Sequence, residues 1–313
     1  MITLKKEQGK DFRILNLTDT QLAAHDWDKD HKNYRIITRT VSELVKRVEP
    51  DLITVTGDIS WAGDDEAYDA FADYLDSFGR PWAPIWGNHD NQDGPDAVER
   101  VVERYLTHPL CVYERGDASL GNGNYIIAIE ENKKIVEGLI MMDTHDKIPQ
   151  LIPQQVVWYR EQAAALKKLG CHDTTLMLHV PIYAYRDVWQ AAAKDDVDYS
   201  SVRPENSADA ALWNDVCRGA FGVCHENVYV YPHDDGAMAA IDEIGTTKHI
   251  VCGHAHVNNF VIPYKGIKFI YALKTGCGSY CDPVLNGGTV LAVNEKGICD
   301  VWHEYVDISD LVK

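Results

Sequence analysis

No stretch of this chain approaches the ~20 consecutive apolar residues that a membrane-crossing helix requires. Its opening, Met1-Ile2-Thr3-Leu4-Lys5-Lys6-Glu7, lacks the long apolar segment of a secretory leader. Both absences lead us to expect a cytoplasmic protein with no membrane partner. Basic charge is also short: 30 Lys and Arg stand against 48 Asp and Glu, a formal net charge of −18. Nucleic acid and anionic membrane surfaces reward clustered Lys and Arg, so neither is expected as the main partner. A small anionic substrate stays compatible, because a bound cation inverts the local potential. None of the eight cysteines falls in a C-x2-C zinc-ribbon pattern. Reduced core thiols are expected, with Cys217/Cys224 and Cys277/Cys281 close enough in sequence to be disulfides or metal ligands. Internal repeats and low-complexity tracts are missing too. What is present, 45% hydrophobic and 25% charged residues over 313 positions, suffices for a sizeable globular core.

Short apolar runs alternate with helical stripes. Residues 13–18, 51–56 and 84–86 read as strands. Between them, Tyr34, Ile37, Val41, Leu44, Val45 and Val48 mark a helix over 33–48 closed by Pro50, and 66–78 a second stopped by Gly79. That order predicts βαβ units with buried strands. A helix is predicted from Gly94 to Tyr105, then an antiparallel pair over 125–130 and 136–143, then a helix over 153–169 opening on Pro153. Residues 175–178 read as a strand ahead of His179, and 249–252 as one ahead of Gly253-His254-Ala255-His256. Short strands follow at 260–262, 267–271, 289–293 and 300–305. Residues 183–235 are acidic and irregular with interspersed aromatics, and read as a cap or lid inserted into a single α/β domain spanning 1–313.

Five runs end on a coordinating or proton-carrying group: Asp19, Asp58, Asn88, His179 and the pair His254/His256. Ligand sites of α/β sheets gather beyond the carboxyl ends of strands, so these groups are placed to converge. Gly87-Asn88-His89-Asp90 taken alone is equally a helix-capping turn. It offers an amide oxygen, an imidazole titrating near neutrality and a carboxylate able to orient that imidazole. In an extended chain His254 and His256 point the same way, each toward a neighbouring ion. A carboxylate such as Asp58 can bridge two cations, and ions about 3.5–4 Å apart suit phosphate-ester hydrolysis. Mixed N/O ligation favours Mn, Fe or Zn over Mg or Ca.

Asp19-Thr20-Gln21, Gly57-Asp58, Gly87-Asn88-His89-Asp90, His179 and Gly253-His254-Ala255-His256 resemble, in this order and across residues 13–276, the calcineurin-like metallophosphoesterase superfamily. Together with Val257-Asn258-Asn259, Tyr264-Lys265-Gly266 and the stretch 274–280, they are similar to purple-acid-phosphatase-related phosphohydrolases of bacteria, fungi and plants. The resemblance implies a two-sheet β-sandwich flanked by helices, in four αββα layers, with a dinuclear centre of divalent metal ions. It implies that Asp19, Asp58 and His256 hold one metal, with Gln21 at a ligand position, and that Asp58, Asn88, His179 and His254 hold the other. A metal-bridging hydroxide would attack phosphorus in line. His89 would protonate the leaving oxygen or stabilise the phosphoryl oxygens, and Asp90 would orient His89.

The chain departs from that pattern twice. Gln21 stands where the common motif has histidine, either as a weaker ligand or hydrogen-bonded to a metal-bound water; His25, one turn on, reads as a surface residue. Trp61 stands where purple enzymes supply tyrosinate, so Mn2+, Fe2+ or Zn2+ is expected rather than ferric iron. The implied function is a metal-dependent phosphoesterase acting on a phosphomonoester, with a phosphodiester as second option. Its partner would be a small phosphorylated substrate or a phosphoprotein. Gln21 keeps open a catalytically weak or inactive module that binds phosphate or a phosphoprotein through one metal. Asn258 and Asn259 read as turn formers, His145 and Asp146 as a hydrogen-bonded loop, and the aromatics of 183–231 mainly as core of the insert. The Gly-rich loop 274–280 reads either as presenting backbone N–H groups and Lys274 to a phosphate, which is favoured, or as a tight turn near the sheet edge.

Overall fold

The computed structural model describes residues 1–61, 63–92, 95–145 and 151–312. Its strands are β1 (Ile2–Lys5), β2 (Phe12–Leu17), β3 (Leu52–Thr56), β4 (Trp82–Ile85), β5 (Tyr125–Glu131) and β6 (Lys134–Met141), followed by β7 (Thr174–Met177), β8 (Thr247–Cys252), β9 (Val261–Tyr264), β10 (Ile267–Tyr271), β11 (Gly287–Asn294) and β12 (Gly297–Tyr305). They form a five-stranded sheet, β12-β11-β2-β3-β4, and a seven-stranded sheet, β1-β5-β6-β7-β8-β10-β9. The predicted βαβ run makes β2, β3 and β4 parallel neighbours. Every residue of β3 is buried, Thr54 and Thr56 included, and their hydroxyls are satisfied by the Asn16 side chain of β2.

Strand periodicity then places the layers. Ile127, Ile129, Leu139, Met141, Met177 and Val251 share one cluster with Leu15, Leu17, Ile53 and Val55 of the other sheet. Their neighbours Ile126, Ile140, Leu176 and Ile250 belong to a second cluster on the opposite face. Helices α1 (Lys32–Val48), α2 (Asp65–Asp76) and α4 (Pro95–Tyr105) bury their apolar stripes in the first cluster; α3 (Asn88–Asn91) is a single turn. Helices α5 (Pro153–Lys168), α6 (Ala184–Ala192) and α7 (Ala237–Ile244) pack into the second, giving the expected αββα layers.

Several elements differ from the sequence reading. The strand expected at 84–86 starts two residues earlier and ends before Trp86, because Trp82 N donates to Leu110 O and Val112 N to Trp82 O. β1, α6 and α7 are short and were not expected; β1 is held by parallel pairing with β5. Gly94 and Asp146, the expected helix start and a loop residue, lie outside the described residues. The segment 183–235 buries Tyr185, Val188, Tyr199, Val202 and Trp213 in the second cluster, and bridges Phe221 to Val261 and Cys224 to Asn258. Of the two close cysteine pairs, Cys277 and Cys281 form a disulfide, since the loop brings their Cα atoms to 5.3 Å. Cys217 and Cys224 are free and buried. No helix among the described residues is long and apolar enough to cross a membrane.

Candidate metal centre

The carboxyl ends of β2, β3 and β4 from one sheet and of β7 and β8 from the other open at the same end of the sandwich. Asp19 and Asp58 follow β2 and β3 by two residues, and both take left-handed φ, 57° and 52°. Gln21 and His254 do the same, at 47° and 84°. This conformation is costly for residues with a side chain, and is stored where the surrounding structure dictates it. The GHAH stretch is therefore not the extended chain expected, because the backbone bends at His254.

Close backbone approach brings the ends together. A Cβ on Gly87 would lie 2.1 Å from Asp58 Oδ1, and one on Gly57 2.7 Å from His179 Nδ1. These two glycines are needed because no side chain fits between the loops. Gly87 N donates to Asp90 Oδ2 at 2.8 Å, and Asn91 N to Gly87 O at 3.2 Å, closing the α3 turn.

Seven predicted positions converge here. Asp19, Gln21, Asp58 and His179 are buried, each at most 2% exposed. His179 Nδ1 meets the Thr56 carbonyl at 2.7 Å across the sheets, so Nδ1 carries the proton and Nε2 faces the centre. That Nε2 stands 3.3 Å from Asp58 Oδ2, 3.2 Å from Asn88 Oδ1 and 4.0 Å from Asp19 Oδ1. His254 Nδ1 lies 2.8 Å from Asn88 Oδ1, and its backbone N donates to Asp19 Oδ2 at 3.0 Å. His256 meets the Tyr280 carbonyl through Nδ1 at 3.0 Å, leaving Nε2 3.5 Å from Asp19 Oδ1. Gln21 Nε2 donates to Asp58 Oδ2 at 3.0 Å.

This donor set fits a divalent cation. Asp19 Oδ1 and Gln21 Oε1 are buried with no hydrogen-bond partner among the described residues. Ligand atoms of Asp19, Asp58 and His179 all lie within 4.8 Å of one another. Burial alone would lower the His179 pKa, but Asp58 and Asp19 raise it to about 10. A field that retains a proton among two carboxylates equally favours a metal ion. Burial opposes ionisation of Asp19, yet His179, His256 and Lys274 hold its carboxyl well below the usual range.

The four GNHD residues divide their work differently from expectation. Asp90 does not touch His89. Its Oδ1 accepts from Ile59 N (3.0 Å), Ser60 N (3.3 Å) and the Tyr68 hydroxyl (2.6 Å). Burial, followed by the Asp58 charge, raises the Asp90 pKa to about 6. Gln92 orients His89 instead: its Oε1 lies 3.1 Å from His89 Nδ1 while its Nε2 donates to Trp61 O at 2.8 Å. The His89 ring stacks on Trp61, centroids 4.3 Å apart, with Nε2 4.0 Å from Asp58 Oδ2. The i, i+3 spacing of His89 and Gln92 was the available signal for this pair.

Other expected contacts resolve into support. Lys274 is buried, and its ammonium donates to the Asp19 carbonyl rather than facing solvent or a ligand. Burial lowers its pKa to about 8, against the raising effect of Asp19, Asp58 and Glu226. Glu226, which the sequence did not single out, takes His256 N at 2.7 Å on Oε1 and the Tyr280 hydroxyl at 2.8 Å on Oε2. Asn258 and Asn259 bond backbone groups of Glu226 and Val223, 32 and 36 positions away, so they tie two distant segments together rather than closing a local turn as expected. His145 bonds Gln155 at 3.2 Å. His25 is exposed beside Asp26 and His31, a second group able to approach a cation.

A profile of the calcineurin-like phosphoesterase family matches residues 12–258. The chain belongs to the calcineurin-like phosphoesterase family. Among curated relatives of this family member, "Probable inactive purple acid phosphatase 28" of Arabidopsis thaliana is 23% identical over 279 residues, 79% of this chain and 63% of that protein. A "Probable cyclic nucleotide phosphodiesterase" of Xenorhabdus bovienii is 32% identical over 133 residues, 41% of this chain and 50% of that protein. The chain thus spans between half and two thirds of the length of these relatives. One solved structure matches with a TM-score of 0.50 at 11% identity, over 94% of this chain and 99% of its own. A purple acid phosphatase from yellow lupin (Lupinus luteus) seeds matches at 0.48 and 10% identity, over 98% of this chain and 56% of that one.

Proposed function

We propose that this family member is a metal-dependent phosphoesterase acting on a phosphomonoester, with a phosphodiester as the alternative substrate. The observation that carries the reading is the pair of buried, unpartnered oxygens, Asp19 Oδ1 and Gln21 Oε1, beside His179 Nε2 and Asp58 Oδ2. Asp19, Asp58 and His256, with Gln21, would hold one cation, and Asp58, Asn88, His179 and His254 the other. When bound, divalent cations supply charge neutralisation at phosphorus and a water acid enough to act as nucleophile. The nitrogen and oxygen donors favour Mn2+, Fe2+ or Zn2+. His89 holds a proton at Nε2 for the leaving oxygen, and Gln92 fixes the ring through Nδ1. Thr56 and Tyr280 carbonyls fix the tautomers of His179 and His256.

The second reading, a phosphate- or phosphoprotein-binding module with one metal, is kept by Gln21, whose amide is a poorer ligand than imidazole. Turnover of an aryl phosphate and an aryl phosphodiester, after chelation and resupply of Mn2+, separates the two. We expect hydrolysis of at least one compound to need the metal, and Asp58→Asn to reduce it at least roughly 100-fold. Absence of turnover with every divalent metal, while phosphate still binds, would establish the binding module instead.

A further inference from the structure

Of six phenylalanines, eight tryptophans and sixteen tyrosines, only Trp61, Tyr229 and Tyr280 are exposed among the described residues, at 46%, 45% and 51%. Each lies against a different histidine of the centre. Trp61 stacks on His89, with centroids 4.3 Å and planes 29° apart. Tyr280 stacks on His256 at 4.1 Å and 27°. Tyr229 leans on His254 at 4.6 Å and 47°. They come from three distant stretches of chain: the loop after β3, the segment before α7 and the loop of the Cys277–Cys281 disulfide. Proximity in sequence therefore does not account for their meeting.

Apolar ring area left in water forfeits the burial that the other aromatics obtain, and exposed apolar rings gathered at a polar centre mark a binding surface. Here each ring lies against a histidine of the group of atoms that would hold phosphorus. Aromatic rings prefer offset or edge contacts with other rings, so they discriminate a flat π-system from a saturated ring of similar size.

We propose that Trp61, Tyr229 and Tyr280 form a collar that recognises a planar aromatic group on the alcohol side of the phosphoester. The substrate class is then an aryl or nucleoside ester, not an aliphatic or simple sugar ester. The assignment rests on the phosphoesterase reading above, because only a phosphorus held at the centre sets its ester substituent among the rings.

Phosphonates, which are not hydrolysed, separate recognition from turnover. Calorimetric titration of the Mn2+-supplemented protein would compare phenylphosphonate, cyclohexylphosphonate, the methylenephosphonate analogue of adenosine monophosphate, and inorganic phosphate. We expect phenylphosphonate to bind roughly five- to twentyfold more tightly than cyclohexylphosphonate. Tyr229→Leu and Trp61→Leu should each remove roughly three- to tenfold of that preference, with phosphate affinity unchanged. The tighter of the phenyl and adenosine ligands identifies an aryl or a nucleoside source. Equal binding of phenyl and cyclohexyl ligands, or a preference that survives both leucine variants, overturns the collar while aryl phosphate turnover keeps the phosphoesterase reading. Loss of both phosphate binding and turnover in the wild-type protein overturns the two together.

Discussion

His89 owes its orientation to a residue three positions on, and this separates the roles of its neighbours. Gln92 contacts the imidazole directly, whereas Asp90 ties together Ile59, Ser60, Gly87 and Tyr68. His89→Ala should slow esters with poor leaving groups more than those with good ones, since proton donation matters less when the alkoxide leaves easily. Gln92→Ala should show the same signature at smaller size, roughly two- to tenfold. Asp90→Asn should lower the melting temperature without changing the leaving-group dependence. Rates across aryl phosphates of graded leaving-group acidity check all three, and equal losses for every leaving group in His89→Ala would remove its acid role. The GNHD motif displayed these side chains by name, but not which of them touch. A carboxylate adjacent in sequence to a histidine points elsewhere once its turn is closed.

Strand ends and their loops place the site, and here glycine carries the geometry. A Cβ on Gly253 would lie 2.1 Å from Thr18 Oγ1 and 2.8 Å from Asp19 Oδ2. Thr18 Oγ1 also donates to Asp19 Oδ2 at 2.7 Å, so the added methyl meets the group that orients the carboxylate. Gly253→Ala should therefore cost about 1–3 kcal/mol of stability and weaken metal binding. Thermal unfolding with and without Mn2+ checks this: the variant should show a smaller metal-dependent rise in melting temperature than the wild type. A wild-type response in the variant would mean that the β2 and β8 ends do not need their close approach. The core strands and the long helices were legible because their apolar residues repeat at strand and helix spacing. The short α6 and α7 were not, since each is only a few turns long and is stabilised by packing on the outer face of the seven-stranded sheet.

Across the whole molecule, one buried acid outside the centre links stability to pH. Glu137 of β6 is fully buried, accepting from the Thr175 hydroxyl at 3.0 Å and from Ile298 N at 3.2 Å. Burial, with Asp173 nearby, raises its pKa to about 8 from an ordinary carboxyl value near 4.5. The folded state therefore holds this proton more tightly than the unfolded chain does. Its contribution to stability is greatest below pH 4.5 and is lost as pH rises toward 8. Glu137→Gln keeps an acceptor for Thr175 and carries no charge, so it should stabilise the protein by about 1–3 kcal/mol at pH 8 and flatten the fall above pH 5. Urea unfolding at pH 5, 6.5 and 8 measures it; parallel profiles for wild type and variant would show that Glu137 stays ionised on folding.

The chain by itself determined which atoms are available and in what order: strand-end Asp19, Asp58, Asn88, His179, His254 and His256, and the alternation of apolar residues that puts two sheets back to back. Local patterns decide such things because backbone periodicity and side-chain chemistry act over a few residues. Tertiary structure alone decided that Lys274 turns inward to the Asp19 carbonyl, that Gln92 and not Asp90 holds His89, and that Glu226 braces His256. It also decided that three distant exposed rings meet three histidines. Those contacts join residues tens to hundreds of positions apart or depend on the direction of one closed turn, and hydrogen bonds and ring packing fix them only after both sheets have come together.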